Sequence, residues 1–319
     1  MAKKKEFVTT TKVNASEFAK GTKCEVLYSA YNEDIVLTTL NVNRPGLLLA
    51  GYDEYFEKSR VQVLGNAEIF YLQKLDKVDR LKAITRLLSS GIPCVVIARG
   101  LKAPEGLLDL AKEYRVPIFS SQEITPIVVN DIYYYLKRAL APKTQIHGVL
   151  MDIDGIGVLI TGKSGIGKSE AALELVHRGH RLVADDAVEI RKIDNKLYGS
   201  CPENIRYFME IRGIGIINVK SMYGVSGVLH EKKIMLCMEL EKWQEGKEYE
   251  RLGLDEQYTE ILGVKVPKHT IPVLPGRNLA IVMEVAAKNA RLKHLGYNAA
   301  EELNNGIIER QKELEKIDG

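Results

Sequence analysis

Short apolar runs alternate with stripes of helical period over the first part of the chain. The runs Arg60–Leu64, Ile92–Ala98 and Val116–Ser120 are strand-sized and rich in β-branched residues, so they predict strands. Apolar residues recurring every three or four positions predict helices at Ala67–Leu75, Val78–Leu88, Pro104–Tyr114 and Pro126–Leu140. This alternation favours a small α/β domain with a parallel or mostly parallel sheet.

The rest of the chain continues this pattern. Apolar runs predict strands at Ile146–Met151, Gly157–Thr161, Leu182–Asp186 and Ile234–Glu239. Two helical patterns close it at Leu279–Leu292 and Ala299–Ile317, and the second is amphipathic. Because Pro142 must stop or bend the helix before it, we place a domain boundary there. The sequence thus predicts an N-terminal α/β domain of residues 1–140 and a second domain of residues 141–319.

Composition narrows the class of protein. Of 319 residues, 45% are hydrophobic and 27% charged, as in soluble globular proteins. The 45 basic and 42 acidic residues give a net charge of +3, which does not indicate a nucleic-acid partner. No apolar run approaches the roughly 18–20 residues of a membrane helix, and no apolar segment follows the charged start. Four scattered cysteines fit reduced thiols. We therefore expect a cytoplasmic protein without membrane contact.

A complete phosphate-loop motif, G-x-x-x-x-G-K-[ST], lies between a predicted strand and a predicted helix. Its residues are Gly162, Lys163, Ser164, Gly165, Ile166, Gly167, Lys168 and Ser169. Glycine backbones with positive φ can turn N–H groups toward phosphate oxygens, at the positive end of the helix that follows. Lys168 then reaches the β- and γ-phosphates, and the Ser169 hydroxyl holds Mg²⁺. The sequence therefore predicts a nucleotide site.

Two apolar strands deliver acids that could serve this site. One ends in Asp185 and Asp186, and the other in Glu239. We favour the aspartates, because a strand directly after the phosphate-loop helix lies beside the loop's strand in many such folds. In either case, the alternative is a strand-end acid that faces solvent or caps a turn.

Four segments together resemble the bacterial HPr kinase/phosphorylases: Gly162–Glu170, Val183–Ala187, Met209–Val219 and Pro272–Asn278. The resemblance implies an α/β fold with a C-terminal P-loop kinase-type domain, similar to phosphoenolpyruvate carboxykinase, and a smaller N-terminal α/β domain. It implies phosphorylation of a serine of the phosphocarrier protein HPr by ATP or pyrophosphate. It also implies the reverse phosphorolysis by inorganic phosphate, which yields pyrophosphate, a role in regulating carbon metabolism, and a homohexamer.

The resemblance also assigns residues. It implies catalytic roles for His147, Lys168, Asp186 and Arg251, and magnesium binding by Ser169 and Glu210. Around Glu210, the signature segment supplies further site residues: Met209, Ile211, Arg212, Gly213, Ile214, Gly215, Ile216, Ile217 and Asn218. The last segment supplies a loop that is linked to dephosphorylation: Pro272, Val273, Leu274, Pro275, Gly276 and Arg277.

The residues themselves support part of this assignment. A serine hydroxyl needs a proton acceptor, which Asp186 can be, and crowding by Asp185 is expected to raise its proton affinity. Gly213 and Gly215 permit close backbone approach, unless the segment is simply a glycine-containing loop and strand. Arg277 is presented on a proline-stiffened loop toward phosphate or a partner, unless that loop is an ordinary turn.

Two positions depart from the family pattern, and two other functions stay open. Lys163 replaces an acid of many relatives, which predicts altered nucleotide contacts, and Leu274 replaces an arginine, which puts the strength of phosphorolysis in question. One alternative is a regulatory module that binds nucleotide without transfer. The other is a small-molecule P-loop kinase, which requires an enclosed substrate pocket, whereas a protein substrate requires an open site.

Overall fold

The computed structural model describes residues 10–30, 34–250 and 256–317. Two compact units divide the chain between Pro142 and Lys143. Each unit is an α/β structure with its own hydrophobic cores. Within the described residues, no helix is long and apolar enough to cross a membrane.

The strands of the first unit are short. They are β1 Thr11–Val13, β2 Glu25–Tyr28, β3 Ile35–Leu37, β4 Val42–Asn43, β5 Val61–Leu64, β6 Val95–Ile97 and β7 Ile118–Ser120. Its helices are α1 Ala15–Thr22, α2 Gly46–Leu49, α3 Asn66–Lys74, α4 Lys77–Leu88, α5 Leu107–Tyr114 and α6 Thr125–Ala139.

The sheet of this unit has the order β2-β7-β6-β5-β4. Strands β4 to β7 run parallel and β2 is antiparallel, as the alternation of elements predicts. Helices cover both faces. Val63 and Val96 pack in the core that includes α1 and α6, whereas Leu64 and Ile97 pack in the core of α3, α4 and α5. Burial on both faces explains why these strands are nearly continuous apolar runs.

The second unit contains longer strands. They are β8 Lys143–His147, β9 Val149–Ile153, β10 Ile156–Gly162, β11 Arg181–Ala184, β12 Ala187–Ile193, β13 Lys196–Ser200, β14 Phe208–Ile211, β15 Gly215–Asn218, β16 Glu231–Lys242, β17 Gln257–Ile261 and β18 Val264–Val273. Its α-helices are α7 Lys168–His177, α8 Val219–Tyr223, α9 Leu279–His294 and α10 Ala299–Ile317.

Strand β16 joins the two halves of the main sheet. Its first residues pair with β13 antiparallel, and its later residues pair with β10 and β18 parallel. The full order is β11-β9-β10-β16-β13-β12-β8; outside this path, β18 pairs with β16 and β17 pairs with β18. One face packs against α7 and α9 through residues such as Leu236 and Met238, and a second core holds Leu159, Val188 and Cys237. The carboxyl ends of β10, β16 and β18 therefore lie at one edge.

The structure corrects three sequence predictions. The predicted strand Ile146–Met151 is two strands, β8 and β9, separated at Gly148. A Cβ at Gly148 would lie 2.5 Å from the Ile160 carbonyl oxygen, so the chain passes too close for any side chain. Helix α5 begins at Leu107 rather than Pro104. Strand β11 pairs with β9, not with β10, so the reason given for preferring Asp185 and Asp186 was wrong.

Candidate active site

The phosphate loop connects β10 to α7 as predicted. Gly162, Gly165 and Gly167 have φ values of 142°, 77° and 97°, which L side chains rarely adopt. A Cβ at Gly162 would lie 2.5 Å from the Leu240 carbonyl oxygen. Ile166 is buried and anchors the loop in the core beneath it. Backbone shape and close packing together therefore require this glycine pattern.

Lys168 lies at the first turn of α7 and is buried. Its Nζ donates to the carbonyl oxygens of Gly162 at 3.0 Å and Lys163 at 3.2 Å. These bonds hold the ammonium inside the loop, where an anion would meet it. The guanidinium of Arg212 lies across the loop, so that a Cβ at Gly165 would lie 2.6 Å from its Nη1. Two cationic side chains, one from α7 and one from the turn after β14, thus lie at the phosphate loop.

Ser169 donates from Oγ to Asp185 Oδ1 at 2.9 Å. The other carboxylate oxygen, Oδ2, accepts the backbone N–H of Glu210 at 3.4 Å. Asp185 is only 5% exposed, and burial raises its pKa above the ordinary value despite these hydrogen bonds and with a contribution from the neighbouring Asp186 charge. The carboxylate therefore joins α7 to β14 at a nearly dry position.

Asp186 follows Asp185 in the short connection between β11 and β12. Its φ of 66° is left-handed, and its side chain is 74% exposed. His147 Nδ1 lies 2.9 Å from Oδ1 of Asp186 and 3.0 Å from the backbone carbonyl oxygen of Asp186. Gly148 N–H donates to that same carbonyl at 3.1 Å. The junction of β8 and β9 thus fixes the aspartate backbone while the carboxylate faces solvent.

These groups line one open cleft with about 690 Å³ of empty space. Its walls include His147, Ser164, Gly165, Gly167, Lys168, Ser169, Glu170, Asp185, Asp186, Glu210 and Arg212. The structure therefore brings together the predicted residues His147, Lys168, Ser169, Asp186 and Glu210. Arg251 lies outside the described residues.

The signature segment forms the hairpin β14–β15. Met209 and Ile211 are buried in the core, while Ile214 and Ile216 are 74% and 76% exposed. No described atom of this chain lies within 4 Å of a Cβ added at Gly213 or Gly215, so close approach at these glycines stays a prediction for a ligand or partner. Both glycines have positive φ, which the tight turn between the strands requires.

The predicted loop of residues 272–277 is only partly a loop. Pro272 and Val273 belong to β18, where they pair with Glu241 and Lys242. Arg277 Nη1 donates to the Pro272 carbonyl oxygen at 3.2 Å, so the arginine folds back on its own segment. Asn278 begins α9 by accepting the Ile281 N–H at 3.0 Å, and its amide donates to Glu174 of α7 at 2.7 Å. This segment ties α9 to the phosphate-loop helix.

Sequence reasoning missed two contacts of the cleft. It did not pair Asp185 with Ser169. It predicted Arg212 as a site residue but not its contact with the phosphate loop, where Nη2 lies 3.5 Å from Ser164 Oγ. The adjacent acids were a signal for the first contact. The alternative acid, Glu239, lies on β16 beside the loop's strand, but its carboxylate pairs with Lys268.

The donor set fits Mg²⁺ bound together with phosphates. Among the described residues, no three acids, histidines or cysteines converge as an all-protein metal site. Magnesium bound with a nucleotide needs only one or two protein oxygens, because phosphates and water supply the rest. The Ser169 hydroxyl, held by Asp185 beside Lys168, offers such an oxygen.

The fold and the cleft are those of a P-loop kinase-type protein. The family described as "HPr Serine kinase C-terminal domain" matches residues 138–307, and "HPr Serine kinase N terminus" matches residues 13–136. The chain therefore belongs to the HPr serine kinase family.

Named relatives span nearly its whole length. It is 49% identical to the HPr kinase/phosphorylase of Peptoclostridium acidaminophilum over 94% of this chain and 97% of that protein. It is 48% identical to the HPr kinase/phosphorylase of Caldanaerobacter subterraneus subsp. tengcongensis, over 94% of this chain and 98% of that protein. The solved structure of the Hpr(Ser) kinase/phosphatase from Coxiella burnetii is 38% identical and covers 50% of this chain and 98% of its own, with a TM-score of 0.46.

Proposed function

We propose that this chain phosphorylates a serine of HPr with ATP or pyrophosphate and reverses the reaction by phosphorolysis. The observation that carries the proposal is the exposed pair His147–Asp186 at the rim of a phosphate-loop cleft. A base that is 74% exposed can reach a serine on the surface of another protein. A small-molecule kinase would instead enclose its acceptor and exclude water.

Asp186 accepts the serine proton as the serine oxygen bonds to the transferred phosphorus and the bond from that phosphorus to its leaving oxygen breaks. In the reverse direction, an oxygen of inorganic phosphate bonds to the phosphoserine phosphorus. The serine oxygen leaves and takes the proton from Asp186, and the product is pyrophosphate. Nδ1 of His147 orients the carboxylate at 2.9 Å in both directions.

The buried side of the cleft serves the phosphate donor. Lys168 and the loop N–H groups bind the phosphates, and Arg212 lies close enough to the loop to add positive charge. Ser169, supported by Asp185, and Glu210 are the protein groups that would hold Mg²⁺. When bound, Mg²⁺ neutralises charge on the phosphate oxygens. Arg251, assigned from the family resemblance, neutralises the charge that builds on the transferred phosphoryl group.

The assembly that we propose is a homohexamer in the cytoplasm. The support is family membership, together with exposed apolar residues on the last helix, such as Leu303 and Ile307, which would be covered in an oligomer. Light scattering of the purified chain tests this assembly, and a monomer at micromolar concentration would contradict it.

The test of the activity is incubation of the purified chain with HPr, Mg²⁺ and ATP labelled on the γ-phosphate. We expect label on one serine of HPr, and its release as labelled pyrophosphate when inorganic phosphate is added. HPr with that serine replaced by alanine is the control. If a folded, nucleotide-binding chain left HPr unlabelled, the chain would be a regulatory module instead.

A further inference from the structure

The loop that follows β16 carries an aromatic stack that the proposed chemistry does not use. The Trp243 indole and the Tyr249 ring have centroids 5.0 Å apart and planes inclined by 24°. Lys247 Nζ lies over the Tyr249 ring, 5.6 Å from its centroid. Trp243 is nevertheless 47% exposed, so the indole still presents a large apolar surface to solvent. Such a surface gains free energy when a flat ligand covers it.

Hydrogen bonds hold this stack in place. The Tyr249 hydroxyl accepts the Gln244 N–H at 3.3 Å and also bonds to the Glu241 carboxylate. Lys247 Nζ donates to Glu241 at 2.9 Å. The backbone N–H of Trp243 donates to the Val273 carbonyl oxygen at 3.3 Å, which fixes the start of the loop to the end of β18. The indole is thus positioned before any ligand arrives.

Strand register places the stack relative to the phosphate loop. Gly162, where the loop begins, pairs with Leu240 in the parallel neighbour β16. Trp243 follows Leu240 by three residues, which corresponds to about 10 Å along an extended chain. Both strands point their carboxyl ends at the same edge, so Trp243 lies beyond the loop at that edge. The nucleoside of a bound triphosphate lies a comparable distance from its β-phosphate.

The direction in which a nucleotide would extend from the phosphate loop also agrees with the position of Trp243. The sheet order β11-β9-β10-β16 places β11, which leads to Asp185 and Asp186, on one side of the loop's strand and Trp243 on the other. The transferred phosphate must point toward the carboxylates. The rest of a nucleotide therefore extends toward the carboxyl end of β16.

We propose that the exposed face of Trp243 is the stacking surface for the base of the nucleotide whose phosphates bind residues 162–169. This inference rests on the proposed function for the identity of the ligand as a nucleotide. Stacking accepts any base, since every base has a π-face, and it contributes about 5- to 150-fold to affinity. Pyrophosphate, the other proposed donor, carries no base and cannot use this surface.

The test compares the two donors in a binding measurement that needs no HPr. Equilibrium dialysis with Mg²⁺ gives the Kd of ATP and of pyrophosphate for the full chain and for Trp243→Ala. We expect the substitution to raise the Kd of ATP about 5- to 150-fold, while the Kd of pyrophosphate is unchanged. Trp243→Phe should recover most of the ATP affinity. Tyr55→Ala, which removes an 85% exposed aromatic ring from the first unit, is the matched control.

Two results would overturn the inference. Equal weakening of both donors would mean that Trp243 supports the phosphate loop and not a base. An unchanged Kd of ATP would mean that the indole does not contact the nucleotide. Failure of the proposed function looks different, because the chain would then leave HPr unphosphorylated. The donor comparison would still decide whether Trp243 stacks on a base.

Discussion

Asp185 and Asp186 are adjacent in the chain, yet the structure gives them opposite surroundings. Asp185 is 5% exposed and bonds to Ser169 and to the Glu210 backbone, whereas the Asp186 side chain is 74% exposed beside His147. Asp186 has a left-handed φ of 66°, where the chain turns as β11 ends and β12 begins. The two identical side chains are thus divided between the buried side of the cleft, the proposed donor side for the phosphate donor, and the exposed side, the proposed acceptor side for the serine.

This difference suggests separate tasks. A buried carboxylate with a fixed hydroxyl partner suits binding, because its geometry does not depend on the acceptor protein. An exposed carboxylate suits proton exchange with a serine that arrives from solution. The following substitutions test whether the two tasks are separable.

The largest effect is expected from Asp186→Asn. The amide keeps the shape of the carboxylate but cannot exchange a proton, so HPr phosphorylation and phosphorolysis should both fall on the order of 10²–10⁴-fold. Nucleotide affinity should survive. Rates in both directions and the Kd of ATP measure this. Loss of phosphorylation alone would contradict a shared acid–base group and make His147 the next candidate.

Asp194→Asn is the matched control for this substitution. Asp194 is also an exposed aspartate with positive φ, at 50°, but it lies in the turn between β12 and β13. Its replacement should leave both reactions unchanged. A similar loss in both variants would mean that backbone strain, not proton transfer, explains the effect.

Asp185→Asn should affect the donor side instead. The amide holds the Ser169 hydroxyl less strongly, and loss of such a supporting group typically lowers metal affinity about 10- to 100-fold. Titration of ATP binding with Mg²⁺ should therefore require more metal. Pyrophosphate binding should show the same shift, because the metal serves both donors. An unchanged titration would mean that Asp185 does not support the metal site.

Much of this architecture could be predicted from the sequence. The strand β5 and the helices α4 and α6 lie within one residue of their predicted bounds, because buried strands and amphipathic helices leave strong periodic signals. The phosphate loop was predictable because its backbone needs glycine at fixed positions. By contrast, the short antiparallel pair β1–β3 was not predicted, because three-residue strands depend on distant partners.

The division of the two aspartates was beyond sequence reasoning. The pair itself was a candidate, but its spacing does not encode the torsion at Asp186 or the position of β11 beyond β9. The contact of Arg212 with the loop likewise depends on how the hairpin β14–β15 packs on α7. These features arise from tertiary packing, which local patterns do not report.

A smaller effect is expected from Asn278→Ala. Asn278 caps α9 and donates to Glu174 on α7, so its loss should lower the free energy of unfolding by about 1 kcal/mol. Asn278→Ser keeps a capping oxygen and should lose less. Thermal denaturation measures both variants. The Mg²⁺ titration should stay unchanged; a shift like that of Asp185→Asn would mean that α7, not Asp185 alone, determines the donor side.

The smallest effect concerns the stability of the buried aspartate. Burial raises the pKa of Asp185, so between its ordinary and its raised value the folded chain binds more protons than the unfolded chain. The free energy of unfolding therefore falls as pH rises through that window. Because asparagine cannot ionise, Asp185→Asn should be more stable at neutral pH, by about 1 kcal/mol or less. Denaturation without Mg²⁺ or nucleotide should show the gain shrinking as pH falls toward the ordinary aspartate range. A gain that is equal at every pH would indicate packing rather than ionisation, and the contrast between the two aspartates would then lose its electrostatic basis.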